Sequence, residues 1–84
     1  MRQNRNANID IGLAVRNKMR EQGTTIAWLA RQVKCDRSNL YKQLHHTHIY
    51  PELLLQISIA LKTNFFIYYT DCFRQVVEDK EGNL

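Results

Sequence analysis

The chain has few of the residues on which several kinds of chemistry depend. Its 84 residues include three glycines, two cysteines, one proline and one tryptophan. Scattered glycines supply no Gly-rich loop to cradle a phosphate, and no pair of carboxylates sits in an apolar setting. Ser38 or Cys35 near a histidine lacks a third group to orient the base, so the pattern argues against an enzyme. Cys35 and Cys72 are too few for a disulfide framework. With the opening MRQNRN, which does not read as a signal peptide, they point to reduced thiols in a cytoplasmic protein. The longest apolar run, LLLQISIAL, is interrupted by Gln56 and Ser58 and falls short of the roughly 20 residues needed to cross a bilayer. His45, His46 and His48 crowd one loop, but the two tight ligand pairs of a structural zinc site are missing, and no metal or cofactor is expected. Internal repeats, low-complexity tracts and linkers are also missing.

What is present is an uneven charge. Residues 1–45 hold nine Lys or Arg against three Asp or Glu (+6), and residues 46–84 hold three against five (−2), which sums to the net +4. A chain of this length makes a single domain with one modest core, and a basic half on such a domain suits a polyanion such as nucleic acid, or a membrane surface.

The apolar pattern is helical throughout. Ile11, Val15 and Met19 recur every four residues and Gly23 sits where a helix would stop, which predicts a first helix over 8–22. Thr25 caps a second helix ending near Val33, and Asp36 caps a third from Arg37 to about His45. Pro51 fits the first turn of a fourth, in which Leu54, Ile57 and Leu61 form a core stripe. Thr63 or Asn64 can cap a short fifth element, FFIYY. Beyond it, Phe73, Val76 and Val77 extend a helix or add a strand, and EDKEGNL reads as a frayed acidic tail. The expected architecture is all-α, a compact bundle of about five short helices. It divides into a flexible basic arm at 1–7, a domain at 8–70 and an extension at 71–84.

The segment KCDRSNLYKQL, residues 34–44, carries an unusual number of hydrogen-bonding side chains. At 100° per residue Leu40 and Leu44 share one side of the third helix, while Ser38 and Lys42 point away from it, flanked by Asn39 and His45. Arg37 and Tyr41 lie nearer the boundary. A polar helix that begins three residues after its predecessor ends has the layout of a helix-turn-helix. Its donors suit base edges: Arg37 and Lys42 for guanine, Asn39 for adenine, Ser38 for a base or phosphate, and Tyr41 for a phosphate or thymine methyl.

TIAWLARQVKCDRSNLYKQL resembles the helix-turn-helix of the lambda-repressor-like regulators, the Cro-type or xenobiotic-response-element family. The resemblance rests on Thr25, Leu29, Ala30, Val33, Asp36 and Leu40, and with LLLQISIAL it covers about residues 9–70. It implies sequence-specific binding of double-stranded DNA by a small transcriptional regulator, with the helix 37–45 in the major groove. Arg37, Ser38, Asn39 and Lys42 would then meet bases, with Tyr41 beside them, and Thr25, Lys34, Arg16 and Arg31 would anchor to phosphate. A homodimer on a two-fold operator is expected. Three positions depart from the family's habit: Ile26 stands where a Gln is common, Lys34 where a Gly commonly ends the second helix, and His45 where many members carry Glu.

Trp28 reads as core packing. The rings of Phe65, Phe66, Tyr68, Tyr69 and Phe73 exceed what one small core covers, so core and subunit interface both remain open for them. The alternative function is an antitoxin or other protein-interaction module that grips a toxin or similar partner with this cluster. RNA binding is disfavoured because aromatics are not interleaved with the basic face.

Overall fold

The structure, a computed structural model, describes the backbone of residues 9–82 and the side chains of residues 9–78. The basic arm expected at 1–7 lies outside the described residues. Five helices follow in order: α1 (Ile11–Gln22), α2 (Ile26–Val33), α3 (Arg37–Leu44), α4 (Pro51–Leu61) and α5 (Ile67–Gly82). No strand occurs among the described residues.

The helix starts are local chemistry. Asp10 is extended, and its carboxylate accepts from the backbone N–H of Leu13 at 3.0 Å. The first helix therefore begins at Ile11 rather than at residue 8, because Asp10 satisfies one of the N–H groups left over in its first turn. Thr25 Oγ1 accepts from Trp28 N at 3.0 Å, and Asp36 Oδ2 from Asn39 N at 3.1 Å. At α4 the cap position is Tyr50, which makes no side-chain cap bond, and Pro51 stands at the first helical position.

The ends of α1, α2 and α4 share one device. Gly23, Lys34 and Lys62 all adopt the left-handed conformation, with φ of 72°, 55° and 53°. The next residue then reaches back five positions: Thr24 N to Met19 O, Cys35 N to Ala30 O and Thr63 N to Ser58 O, each 3.0 Å. This is the Schellman stop, which glycine adopts freely and a side chain with a Cβ adopts at a cost. Lys34→Gly and Lys62→Gly should each raise the unfolding free energy by about 0.5–1 kcal/mol in a denaturant titration.

The core is drawn from every helix up to α4 and from the turn before α5. Ile11, Val15, Leu29, Leu40, Leu44 and Ile57 are wholly inaccessible, and Leu54, Leu61 and Phe65 nearly so. α2 packs against both α3 and α4, and α1 against α3. Trp28 is half-buried against this core. Ser58 is buried on α4 with its hydroxyl unpaired. An unsatisfied buried hydroxyl is costly and alanine is the better helix former, so Ser58→Ala should stabilise the fold by about 1 kcal/mol. An unchanged or lowered melting temperature would contradict this.

α1 grips the far end of α3 closely. Ile11 N donates to Thr47 O at 2.7 Å, and Arg16 Nε to Leu44 O at 2.9 Å. Between them Gly12 is buried, and a Cβ built on it would overlap the carbonyl oxygens of Leu44 and His46. At the opposite end, Gln22 Nε2 donates to Leu61 O at 2.8 Å and joins α1 to α4.

After α4, Asn64 Oδ1 accepts from Phe66 N at 3.0 Å, which shapes the turn into α5. The segment holding Phe73, Val76 and Val77 extends a helix, and the backbone stays helical through Gly82 rather than fraying at Glu78.

Candidate functional site

The α2–α3 corner sets the candidate site. Three residues, Lys34, Cys35 and Asp36, separate the helices. The left-handed turn at Lys34 reverses the chain, and the Asp36 cap starts α3 at once. Behind α3, Leu40 and Leu44 are fully buried, while Arg37, Ser38, Asn39, Tyr41 and Lys42 are all exposed.

These exposed side chains divide into two flanks. Arg37, Ser38, Tyr41 and Lys42 line one groove with Ile26 and Ala27 from the first turn of α2. Lys34 and Asn39 line another with Asp36, Tyr50, Glu52 and Gln56. The electrostatic contrast is plain: the first groove has two cations and no carboxylate, whereas the second sets Lys34 against Asp36 and Glu52. A polyanion is drawn to the first and only weakly to the second.

Tyr41 is 55% exposed, its ring 4.4 Å from that of His45. His45 Nδ1 also lies 2.9 Å from Tyr41 O, so this histidine closes the end of α3. Asn39 Nδ2 reaches Cys35 Sγ at 3.7 Å, a weak contact that leans it toward the turn and away from Lys42. Thr25 is exposed at the start of α2 with its oxygen engaged as the cap. Arg16 stands apart from both grooves. It is half-buried with its Nε bound to Leu44 O, which makes it part of the clamp on α3 rather than a surface cation. Arg31 is exposed on α2.

Ile26 and Ala27 have no place in the sequence-based set of site residues, yet they floor the basic groove. A signal existed: Ala27 is 160° round the helix from Leu29, an apolar residue turned away from the core stripe. Such a floor is apolar surface of the kind that meets a thymine methyl.

Two titratable groups away from the grooves are tied to each other. His48 Nδ1 lies 2.8 Å from the Tyr69 hydroxyl and joins the α3–α4 loop to α5. Burial pushes the Tyr69 phenol above its ordinary value of 10.0. Among the described residues, no group of three or more His, Cys, Asp or Glu is placed to hold a metal ion, and no helix is long and apolar enough to cross a membrane.

Compared with protein-family models, curated proteins and solved structures, the chain matches none.

Proposed function

We propose that this chain binds double-stranded DNA in a sequence-specific manner as a small transcriptional regulator, with α2 and α3 acting as a helix-turn-helix. The observation that carries the reading is the carboxylate-free groove in which Arg37, Ser38, Tyr41 and Lys42 face outward over Ile26 and Ala27. An α-helix fits the major groove, and these side chains match what its base pairs offer. Arg and Lys donate to guanine O6 and N7, a hydroxyl serves either a base or a phosphate, and an apolar floor meets thymine methyl. The burial of Leu40 and Leu44 leaves this face to serve recognition without loss of core. Thr25 and Lys34 would contact the flanking phosphates, and Asn39 would reach bases only from the second flank.

Selection of bound duplexes from a random pool, followed by anisotropy titrations across salt, tests the reading. A recovered consensus whose affinity falls linearly with log salt is the expected result. No affinity for any duplex at low salt, or affinity indifferent to salt, would sink it. In the same assay Lys34→Gly should weaken binding and Lys62→Gly leave it unchanged, although both relieve the same backbone conformation.

A further inference from the structure

His45 closes α3 on its outward side. At 100° per residue it falls between Ser38 and Tyr41, within the arc that lines the basic groove, and it is exposed. The last four carbonyls of α3 are all engaged at this end. Lys42 O accepts from His45 N, Gln43 O from His46 N and Leu44 O from Arg16 Nε, while Tyr41 O faces His45 Nδ1 at 2.9 Å. A carbonyl oxygen only accepts, so the neutral ring carries its hydrogen on Nδ1. Nε2 is then a bare lone pair directed away from that carbonyl.

In this form Nε2 repels a phosphate oxygen, whereas a proton on it makes the ring a cation with a donor on each nitrogen. The surroundings bear on that charge from several sides. Lys42 on the same face opposes it, and the carbonyl end of α3 favours it. From α1 come Arg16, held on Leu44 O, and Asp10, whose carboxylate caps its own helix on Leu13 N. α2 brings Ile26 and Ala27 to this side, the neighbouring His46 is exposed, and His48 is tied to Tyr69. The ion pairs among the described residues, Lys18–Glu21 and Arg74–Asp71, do not include His45. An anion to balance its proton is left to come from outside the chain. Position indicates which anion: His45 follows Arg37 by eight residues, about 12 Å along the axis, close to the roughly 12 Å width of a major groove. With the first turn of α3 over the bases, its last residue reaches the phosphates at the groove wall.

We propose that His45 is a further DNA contact of α3, whose Nε2 takes one proton from solution as the duplex docks and donates it in a hydrogen bond to a backbone phosphate. This rests on the DNA-binding reading. Affinity is then linked to protons: the gain is complete where the free imidazole is already protonated, and it is lost as pH rises through the range in which histidine gives up its proton, about pH 5 to 8. Anisotropy titrations of the selected duplex near pH 8 and near pH 5.5 test it. The wild-type chain should bind about tenfold more tightly at the lower pH, and its slope of log affinity against log salt should steepen there by about 0.9 for each chain bound. His45→Gln keeps a donor for Tyr41 O but does not titrate, and should lose both changes. His45→Lys carries a permanent charge and should bind near pH 8 as tightly as the wild-type chain does at the lower pH. His46→Gln should respond as the wild-type chain does. Trp28 emission, which reports the core, should be the same in all four chains at both pH values. A salt-dependent affinity that ignores pH would overturn this proposal and leave the DNA-binding reading standing, whereas no affinity at either pH would sink both. A response to pH that survives in His45→Gln, or that vanishes in His46→Gln, would also overturn it.

Discussion

A Gly12→Ala variant should melt about 15 °C below the wild-type chain, the largest loss of stability expected from adding a single methyl group. The added carbon has no space, since it overlaps two backbone carbonyl oxygens, those of Leu44 and His46, and backbone cannot swing aside as a side chain can. Relief requires α1 to withdraw from α3, which strains the bonds from Ile11 to Thr47 and from Arg16 to Leu44. Overpacking of this kind costs about 3 kcal/mol or more, out of the roughly 4–12 kcal/mol that a domain this small has in total. For such a domain each kcal/mol moves the melting temperature by about 4–8 °C. Gly23 offers the comparison, since a Cβ there meets nothing within 4 Å and only the positive φ of 72° opposes it. Gly23→Ala should therefore cost about 1 kcal/mol. Equal losses from the two variants in thermal melts would show that the α1–α3 contact is not what Gly12 protects.

The second large effect concerns DNA. Arg37→Ala combined with Lys42→Ala should lower affinity for the selected duplex about a hundredfold or more, with little change in melting temperature. Both side chains are exposed on the groove and neither makes a bond to another described side chain, so the fold has no use for them. Each good contact of an Arg or Lys with guanine discriminates by about 1–3 kcal/mol, and two lost together compound. The dependence on salt should also flatten, because fewer counterions are released when fewer cations meet the duplex. A double variant that bound with wild-type affinity would show that this groove is not the surface used.

Much of this arrangement was legible in the sequence because it is local. Thr25 and Asp36 cap the helices that follow them by reaching three residues ahead, and the four-residue spacings of Ile11, Val15 and Met19 and of Leu40 and Leu44 mark which sides face inward. The exposed row on α3 follows from the same geometry. Non-local features left no such trace. Gly12 lies next to carbonyls more than thirty positions away, and nothing in its neighbours announces the contact. Arg16 looks like any surface cation until the end of α3 arrives beneath it, and His48 meets Tyr69 across twenty-one positions. The division of the polar residues into a basic flank and a mixed one depended on where α4 brought Glu52 and Gln56. The length of α5 was hidden for a different reason: its β-branched and aromatic residues suit strand and helix alike, and only its continuation to Gly82 settles the choice.

The capping residues sort the helix ends by how they receive a negative charge. α1 and α3 begin on carboxylates, Asp10 and Asp36, whereas α2 begins on the hydroxyl of Thr25 and α4 on no polar cap at all. The positive pole of α3 is thus already neutralised by its own chain, and a phosphate that approached it would be turned away. In the proposed complex the sugar–phosphate backbone would pass the opening of α2, whose cap is uncharged, rather than that of α3 or that of α4, where Glu52 stands in the first turn.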